Sequence, residues 1–294
     1  MQALRPALDG EPDLIIVQGD TSSALAGAIA GFRADVPVAH VEAGLRTHDR
    51  LPWPEEQFRT SIDAVATLLF APTRLAAANL RAEKVGGEIH VTGNTAVDAT
   101  LDALRQLPPP CLRDGGEFRI LVTCHRRESW NGGLTSIAQA LTEICSTGSV
   151  RVDVVAHPNP FVRERMESLL RGVPRIRLLD PCDHVTLLSR VRDADLVLSD
   201  SGGIQEETPT LGVPLLILRD KTERPEGVMA GVSRLIGTAP GRIVAEVRRL
   251  MENPAERAKM SRQCAPFGDG RAAERIAAII SRWLVERRLT RRTG

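Results

Sequence analysis

Short apolar runs alternate with longer amphipathic stretches along nearly the whole chain. The runs at 14–17, 36–41, 67–71, 89–91, 119–123, 150–155, 175–178, 196–198, 215–218 and 235–236 have the length of strands buried on both faces. Between them, residues 21–32, 54–66, 73–83, 95–107, 134–145, 161–170, 184–191, 204–211, 243–250 and 254–264 carry apolar positions at helical spacing. Residues 272–289 read as a long final helix with a basic tail. Pro54 suits the first turn of its helix, and Pro108-Pro109-Pro110 stops another, because proline has a fixed φ and no N–H to donate. This alternation predicts an α/β protein with two parallel sheets covered by helices. The proline stop opens a linker at 108–117. It divides a first domain at 1–107 from a second at 117–264, and a closing helix follows at 271–290. The first domain offers fewer strands than the second and opens directly on one, so it reads as short for a doubly wound domain.

Composition narrows the function classes. The 294 residues carry 38 basic and 37 acidic side chains, a net charge of +1, which is not the basic footprint of a nucleic-acid binder. Tyrosine is absent and aromatics are 3%, too few for a module that stacks bases. No run has the length of a membrane span, and the first residues lack the apolar core of a signal peptide. Cys111, Cys124, Cys145, Cys182 and Cys264 are odd in number and without metal spacing, so they read as reduced thiols of a cytoplasmic protein. Asp, Glu and His come singly from different strands and no HExxH occurs, so no metal is expected. A P-loop and a GxGxxG fingerprint are also missing, and no cofactor is called for.

The most informative stretch is LVLSDSGGIQEETPTLGVP at 196–214. It reads as strand, glycine turn (Ser201, Gly202, Gly203), helix from Ile204 to Leu211, and a Gly-Val-Pro stop. Where a strand gives way to a helix, free backbone N–H groups face one point, which suits a phosphate. A plain turn without a ligand is the other reading.

Ligands of open α/β sheets sit beyond the carboxyl ends of the strands. The polar residues there are Asp20, Glu42, Asn94, His125 with Arg126 and Arg127, His157, and Ser201 with Glu207; Glu55 and Glu56 follow on a nearby helix. Each alone has a plainer reading. Asp20 could be an N-cap, Glu55 a favourable charge in a first helical turn, and either histidine a structural one. Together they point to a catalytic cleft, because neighbouring charges shift one another's pKa and so yield both an acid and a base. His40 and His90 lie just before strand ends and read as structural, or as supports behind the reacting groups. Cys124 beside His125 raises a nucleophile reading, against the alternative that it fills a small space.

Eight stretches then match one family in its own order: QGDTSSALA (18–26), HVEAGLRT (40–47), PWPEEQFR (52–59), VTGNTAVDA (91–99), HRRES (125–129), HPNP (157–160), DSGGIQEE (200–207) and RDKTERPE (219–226). The chain resembles the non-hydrolysing UDP-N-acetylglucosamine 2-epimerases, a GT-B-like family with two Rossmann-type domains. The resemblance implies an isomerase that interconverts UDP-N-acetylglucosamine and UDP-N-acetylmannosamine, a precursor for cell-envelope polysaccharide. The C2 proton is removed, UDP leaves C1 to give a 2-acetamidoglucal, and UDP adds back while a proton arrives on the opposite face. It implies that Asp20, Glu42, Glu55 and His125 carry or support this chemistry, with Asp20 and Glu55 transferring protons at C2, Glu42 supporting or sharing that role, and His125 helping UDP depart. Ser201, Gly202 and Gly203 would hold the diphosphate and Glu207 the ribose. Arg126 and His157 resemble residues at or near a second, activating UDP-sugar. Family members are commonly dimers, which implies a homodimer. Other expectations are the same chemistry on another UDP-sugar, and a UDP-sugar binder without turnover.

The chain departs from the pattern in places. Family members begin with a strand, a Gly-Thr-Arg-Pro-Glu loop, a helix and further units before the segment resembling 12–20. About two or three such units, each ~30 residues, have no counterpart after Met1, so an N-terminally shortened first domain with greatly reduced or no epimerase activity is expected. Gln18, Cys124 and Lys221 stand where many relatives have His, Gly and Thr.

Overall fold

The computed structural model describes residues 9–49, 53–110, 116–124, 132–146 and 149–293. They form two compact units, one comprising 1–98 with 267–294 and the other 99–266.

The first unit holds a parallel four-stranded sheet in the order β1-β2-β3-β4, with β1 Ile15–Gln18, β2 Val38–Val41, β3 Leu68–Ala71 and β4 Glu88–Val91. Each strand is followed by a helix: α1 Ser22–Arg33, α2 Glu55–Val65, α3 Arg74–Ala82 and α4 Thr95–Leu104. Thr21 and Thr73 accept from the N–H groups of Ala24 and Ala76, so a threonine N-cap starts both α1 and α3. One face of the sheet packs Val17, Val38, Leu69 and Ala71 against Ala24, Ala28, Ile62, Ala76 and Leu80 of these helices. The small alanines and Gly31 let α1 lie close to the sheet, since a Cβ on Gly31 would meet Val38 at 2.7 Å.

The other face is covered by the last helix, α12 in the numbering used below, Ala272–Thr293. Ile276, with partly buried Ile279, Ile280 and Trp283, packs on Ala39, Val41, Leu68 and Phe70. Each fully buried branched side chain there contributes roughly 1.5–3 kcal/mol. Asp98 caps this helix by accepting from the N–H groups of Ala272 and Ala273 at 3.1 and 2.7 Å. Gly93 and Gly268 touch backbone to backbone; both have positive φ, and a Cβ on Gly268 would lie 3.0 Å from the Gly93 Cα. The closing helix therefore belongs to the first unit and is not a separate segment. The division falls between Asp98 and Ala99, earlier than the proline stop, because Asp98 is tied to the returning chain.

The second unit holds a parallel six-stranded sheet in the order β10-β9-β8-β5-β6-β7. Its strands are β5 Phe118–Thr123, β6 Val150–Val155, β7 Ile176–Leu179, β8 Leu196–Ser199, β9 Leu215–Ile217 and β10 Ser233–Leu235. The helices are α5 Gly133–Ser146, α6 Pro160–Leu170, α7 His184–Arg192, α8 Gly202–Leu211, α9 Glu226–Met229, α10 Pro240–Glu252 and α11 Pro254–Met260. One face packs Ile120, Val122, Val152 and Leu198 on α5, α6 and α10, and the other packs Leu121, Val197, Leu215 and Ile217 on α7 and α8. Strand order runs outward from β5 to β7 and then reverses to β8, so β5 and β8 flank the switch point. Nine strand runs and the parallel direction agree with the hydropathy pattern, whereas β10 lies earlier than the run at 235–236 and shares only Leu235 with it. The short helix α9 had no periodic signal.

Among the described residues no helix is long and apolar enough to cross a membrane.

Candidate active site

The sequence-predicted residues fall into two groups, one in each unit. In the first, Asp20 follows β1 and Glu42 follows β2, and these strands are neighbours in register from Ile15–Val38 to Gln18–Val41. Glu42 has φ +72°, in the left-handed region that a non-glycine residue adopts only when its surroundings hold it there. Phe70 does so in part: its carbonyl accepts from both Glu42 and Ala43 at 3.1 Å. The Glu42 carboxylate lies against the turn that carries Asp20, since a Cβ added at Gly19 would come 3.3 Å from Glu42 Oε2.

Asp20 does not cap α1; Thr21 does. Its Oδ2 instead accepts from Arg59 Nη2 at 2.5 Å. Arg59 is buried and its Nη1 bonds Glu56 at 2.9 Å. Glu56 in turn accepts from the backbone N–H groups of Thr47 and His48. Glu55 is the first residue of α2 and half-buried. It lies one turn before Arg59, so both side chains share a face of the helix.

Beneath the two loops is a buried polar network. His40 points Nε2 at the Gly19 carbonyl (3.0 Å) and Nδ1 at Asp63 Oδ1 (2.6 Å). Asp63 Oδ2 accepts from Gly44 N–H at 3.2 Å and from Arg46 at 2.7 Å, and Arg46 also pairs with Glu83. His40 therefore ties the turn before Asp20 to the loop after Glu42, which fits the supporting role read for it. Asn94 is structural: its Oδ1 caps α4 at Ala96 and its N–H donates to the Phe267 carbonyl.

In the second unit, the helix α8 starts at Gly202, two residues earlier than the sequence suggests. Ser201 is the N-cap residue with extended backbone, and Gly202 and Gly203 form the first helical turn without positive φ. The glycines are therefore not needed for a turn. Gly202 is needed for space, since a Cβ there would sit 2.9–3.3 Å from the Arg224 guanidinium. Arg224 is held over that first turn by Glu206 and, at 2.5 Å, by Glu223, which also pairs with Arg219 at 2.9 Å. Thr222 steadies the same loop by donating to Gln205 at 2.6 Å. The approach to α8 is shaped at the switch point: Ser199 Oγ meets Thr123 Oγ1 at 2.6 Å and accepts from Ser201 N–H at 3.0 Å. A helix N-terminus with its first-turn N–H groups, topped by a guanidinium, has the chemistry to receive an anion.

One turn on, Glu207 is buried. His184, at the start of α7, contacts its Oε1 at 3.0 Å, while Oε2 is buried without a partner. Burial raises the Glu207 carboxyl above the ordinary carboxylate range, partly offset by His184. A buried acceptor left open in this way calls for a hydrogen-bond donor.

His157 follows β6 at the same carboxyl edge, two strands from Ser201, and its Nδ1 accepts from the Asn159 N–H at 3.0 Å. His125 and Arg126 lie outside the described residues. Cys124 is buried, and burial together with Asp200 pushes its thiol well above the usual range, which speaks against a nucleophile. Among the described residues no three His, Cys, Asp or Glu side chains converge as metal ligands.

Arg59, His184 and Arg224 were missed in the sequence. Arg59 had a signal, its four-residue spacing from Glu55. Arg224 reaches α8 from a distant loop and His184 from the start of α7, and only tertiary packing reveals that.

A family model described as UDP-N-acetylglucosamine 2-epimerase matches residues 2–281. The UDP-N-acetylglucosamine 2-epimerase of Salmonella typhimurium is 42% identical, over 97% of this chain and 80% of the relative. That of Escherichia coli K12 is 43% identical, over 94% and 77%. Two solved structures are similar. The Neisseria meningitidis UDP-GlcNAc 2-epimerase bound to UDP-GlcNAc is 35% identical with a TM-score of 0.91, covering 96% of this chain and 80% of that one. The Methanocaldococcus jannaschii enzyme in complex with UDP-GlcNAc and UDP is 33% identical with a TM-score of 0.84, covering 95% and 78%.

Proposed function

This chain belongs to the UDP-N-acetylglucosamine 2-epimerase family, and from that premise we propose that it interconverts UDP-N-acetylglucosamine and UDP-N-acetylmannosamine. The observation that carries the reading is the placement of Asp20 and Glu42 on adjacent strand ends, one paired with buried Arg59 and the other held at φ +72°. The C2 proton is weakly acidic, so its removal needs a positioned carboxylate. Inversion needs a proton delivered to the opposite face, so a second acid–base group is required.

In the proposed sequence a carboxylate among Asp20, Glu42 and Glu55 takes the C2 proton. The C2–H electron pair forms the C1–C2 double bond of a 2-acetamidoglucal, and the C1–O pair leaves with UDP. UDP then adds back to C1 while another of these groups protonates C2 from the other face. UDP is both leaving group and returning nucleophile, so no cofactor takes part. We assign the diphosphate to Ser201, Gly202 and Gly203 with Arg224 above them, where N–H groups and a guanidinium offset the charge that develops as UDP departs. His125 acts on the same group. The ribose hydroxyls meet Glu207, whose open Oε2 supports that assignment.

The reading extends to an activating second UDP-sugar at Arg126 and His157, to a homodimer, and to a cytoplasmic location, in keeping with free thiols at Cys124, Cys145, Cys182 and Cys264. The test is a panel of UDP-sugars followed by proton NMR of the anomeric region. UDP-N-acetylglucosamine should give UDP-N-acetylmannosamine. Conversion of a different UDP-sugar alone would reassign the substrate, and binding without conversion would make the chain a UDP-sugar binder.

A further inference from the structure

On one face of the second sheet a cavity of about 440 Å³ runs along β5, β6 and β7, from Arg119 and Arg151 near the strand starts to Leu179 at the end of β7, bordered by the end of α7. Its charged lining is Arg119, Arg151, Arg177, Arg190, Asp153 and Asp193. A parallel sheet covered on both faces ordinarily shows apolar side chains on both. Here Leu121 and Val155 belong to the core, while Arg119 and Arg151 stand opposite one another nearer the strand starts and Asp153 and Arg177 stand level with Leu121. Arg119 stands directly opposite Arg151 in register, and like charges so placed repel.

The carboxylates present do not balance the guanidiniums. Arg177 takes both oxygens of Asp153, at 2.7 and 2.6 Å, and Arg151 reaches the same group at 3.4 Å. Burial raises the Asp153 carboxyl, against the pull of Arg151, Arg190 and Arg119. Asp193 is engaged from outside by Arg192 at 3.3 Å. Among the described residues Arg119 makes no side-chain hydrogen bond or ion pair and Arg190 hydrogen-bonds only Cys182 Sγ at 3.6 Å, so both act on Asp153 through space alone. Four guanidiniums over two carboxylates leave a surplus of two positive charges in a hollow of ligand size.

We propose that this cavity is a second anion site, separate from the α8 turn, and that it takes a phosphate dianion, free or carried on a small metabolite. Guanidiniums bind phosphate oxygens in paired hydrogen bonds, and two of the four are available to do so. A phosphate there relieves the repulsion between Arg119 and Arg151 and competes with Asp153 for Arg177.

The test is calorimetric titration of the full chain with inorganic phosphate and, separately, with glucose 6-phosphate, at pH 7.5 and low salt. Both should bind, and added chloride should weaken them. Whichever binds more tightly identifies the source. The double substitution Arg119→Gln with Arg190→Gln should weaken phosphate by roughly tenfold or more and leave UDP affinity unchanged. Asp153→Asn removes the internal competitor and should tighten phosphate several-fold, a gain that unfolding cannot imitate. Absence of phosphate binding in the parent chain, or the same affinity in parent and Asp153→Asn, overturns the proposal and leaves the arginines as a solvated ion-pair cluster.

Discussion

Arg59 donates from Nη2 to Oδ2 of Asp20 at 2.5 Å, across from α2 to the end of β1. Arg59 is 2% exposed at its side chain and Asp20 30%. The buried cation keeps Asp20 oriented while one side of the carboxylate remains open. Arg59 is fixed from its other end by Glu56, which holds the loop at Thr47 and His48. Arg59→Gln should therefore lower kcat by about 10²-fold, the scale of a misplaced reacting group, with little change in UDP affinity. Loss of one partner of a buried pair costs roughly 3–5 kcal/mol, and the partial exposure of Asp20 puts the expectation at or below the low end. Steady-state kinetics and a denaturant melt check the two parts separately.

Glu42 offers a cleaner division between strain and chemistry. At φ +72° an L-residue costs on the order of 1–2 kcal/mol. Glycine removes that strain but gives back about 0.5–1 kcal/mol in unfolded-state entropy. Glu42→Gly should thus melt within a few degrees of the parent or slightly above it. Its C2 proton exchange should fall by about 10²–10⁴-fold, the usual contribution of a general acid or base.

Gly202→Ala tests the packing of Arg224 on α8. The new methyl would lie 2.9–3.3 Å from a guanidinium that two carboxylates hold in place. The guanidinium has to move, and the first-turn N–H groups lose their counterpart. Calorimetry should show UDP bound about tenfold more weakly, near 1.4 kcal/mol, with the melting temperature nearly unchanged.

Glu207 gives a pH signature. Its carboxyl is raised above the ordinary range by burial. This group's contribution to stability is complete below the unfolded-state pKa and is lost as pH rises through the folded-state one. Ribose hydroxyls donating to Oε2 favour the ionised form, so UDP binding should release a proton, and affinity should weaken as pH falls through the raised value. Glu207→Gln should bind UDP more weakly at neutral pH and lose that part of the pH dependence. Isothermal titration between pH 5 and 8 in two buffers of different ionisation heat measures both affinity and proton release.

Much of the fold was legible because its signals are local. Buried parallel strands read as continuous apolar runs, and Thr21, Thr73 and Pro54 mark helix starts where the structure has them. Asp20 and Glu42 were legible as polar residues at strand ends. What escaped the sequence depends on contacts far apart in the chain. Gly202 and Gly203 looked like a turn, yet they are helical, and the demand on Gly202 comes from Arg224 in another loop. The closing helix looked independent because nothing in its own pattern names the sheet face it covers. His184 carries no local mark that distinguishes it from any exposed histidine before it meets Glu207.

The central claim is that this chain moves a proton at sugar C2. The most direct measurement is incubation of the purified chain with UDP-N-acetylglucosamine in D2O, followed by proton NMR, beside Asp20→Asn at matched UDP occupancy. The account predicts loss of the C2 proton signal and growth of the UDP-N-acetylmannosamine anomeric signal with the parent chain, and neither with Asp20→Asn. Retention of the C2 proton by the parent chain while UDP-N-acetylglucosamine is bound would contradict it.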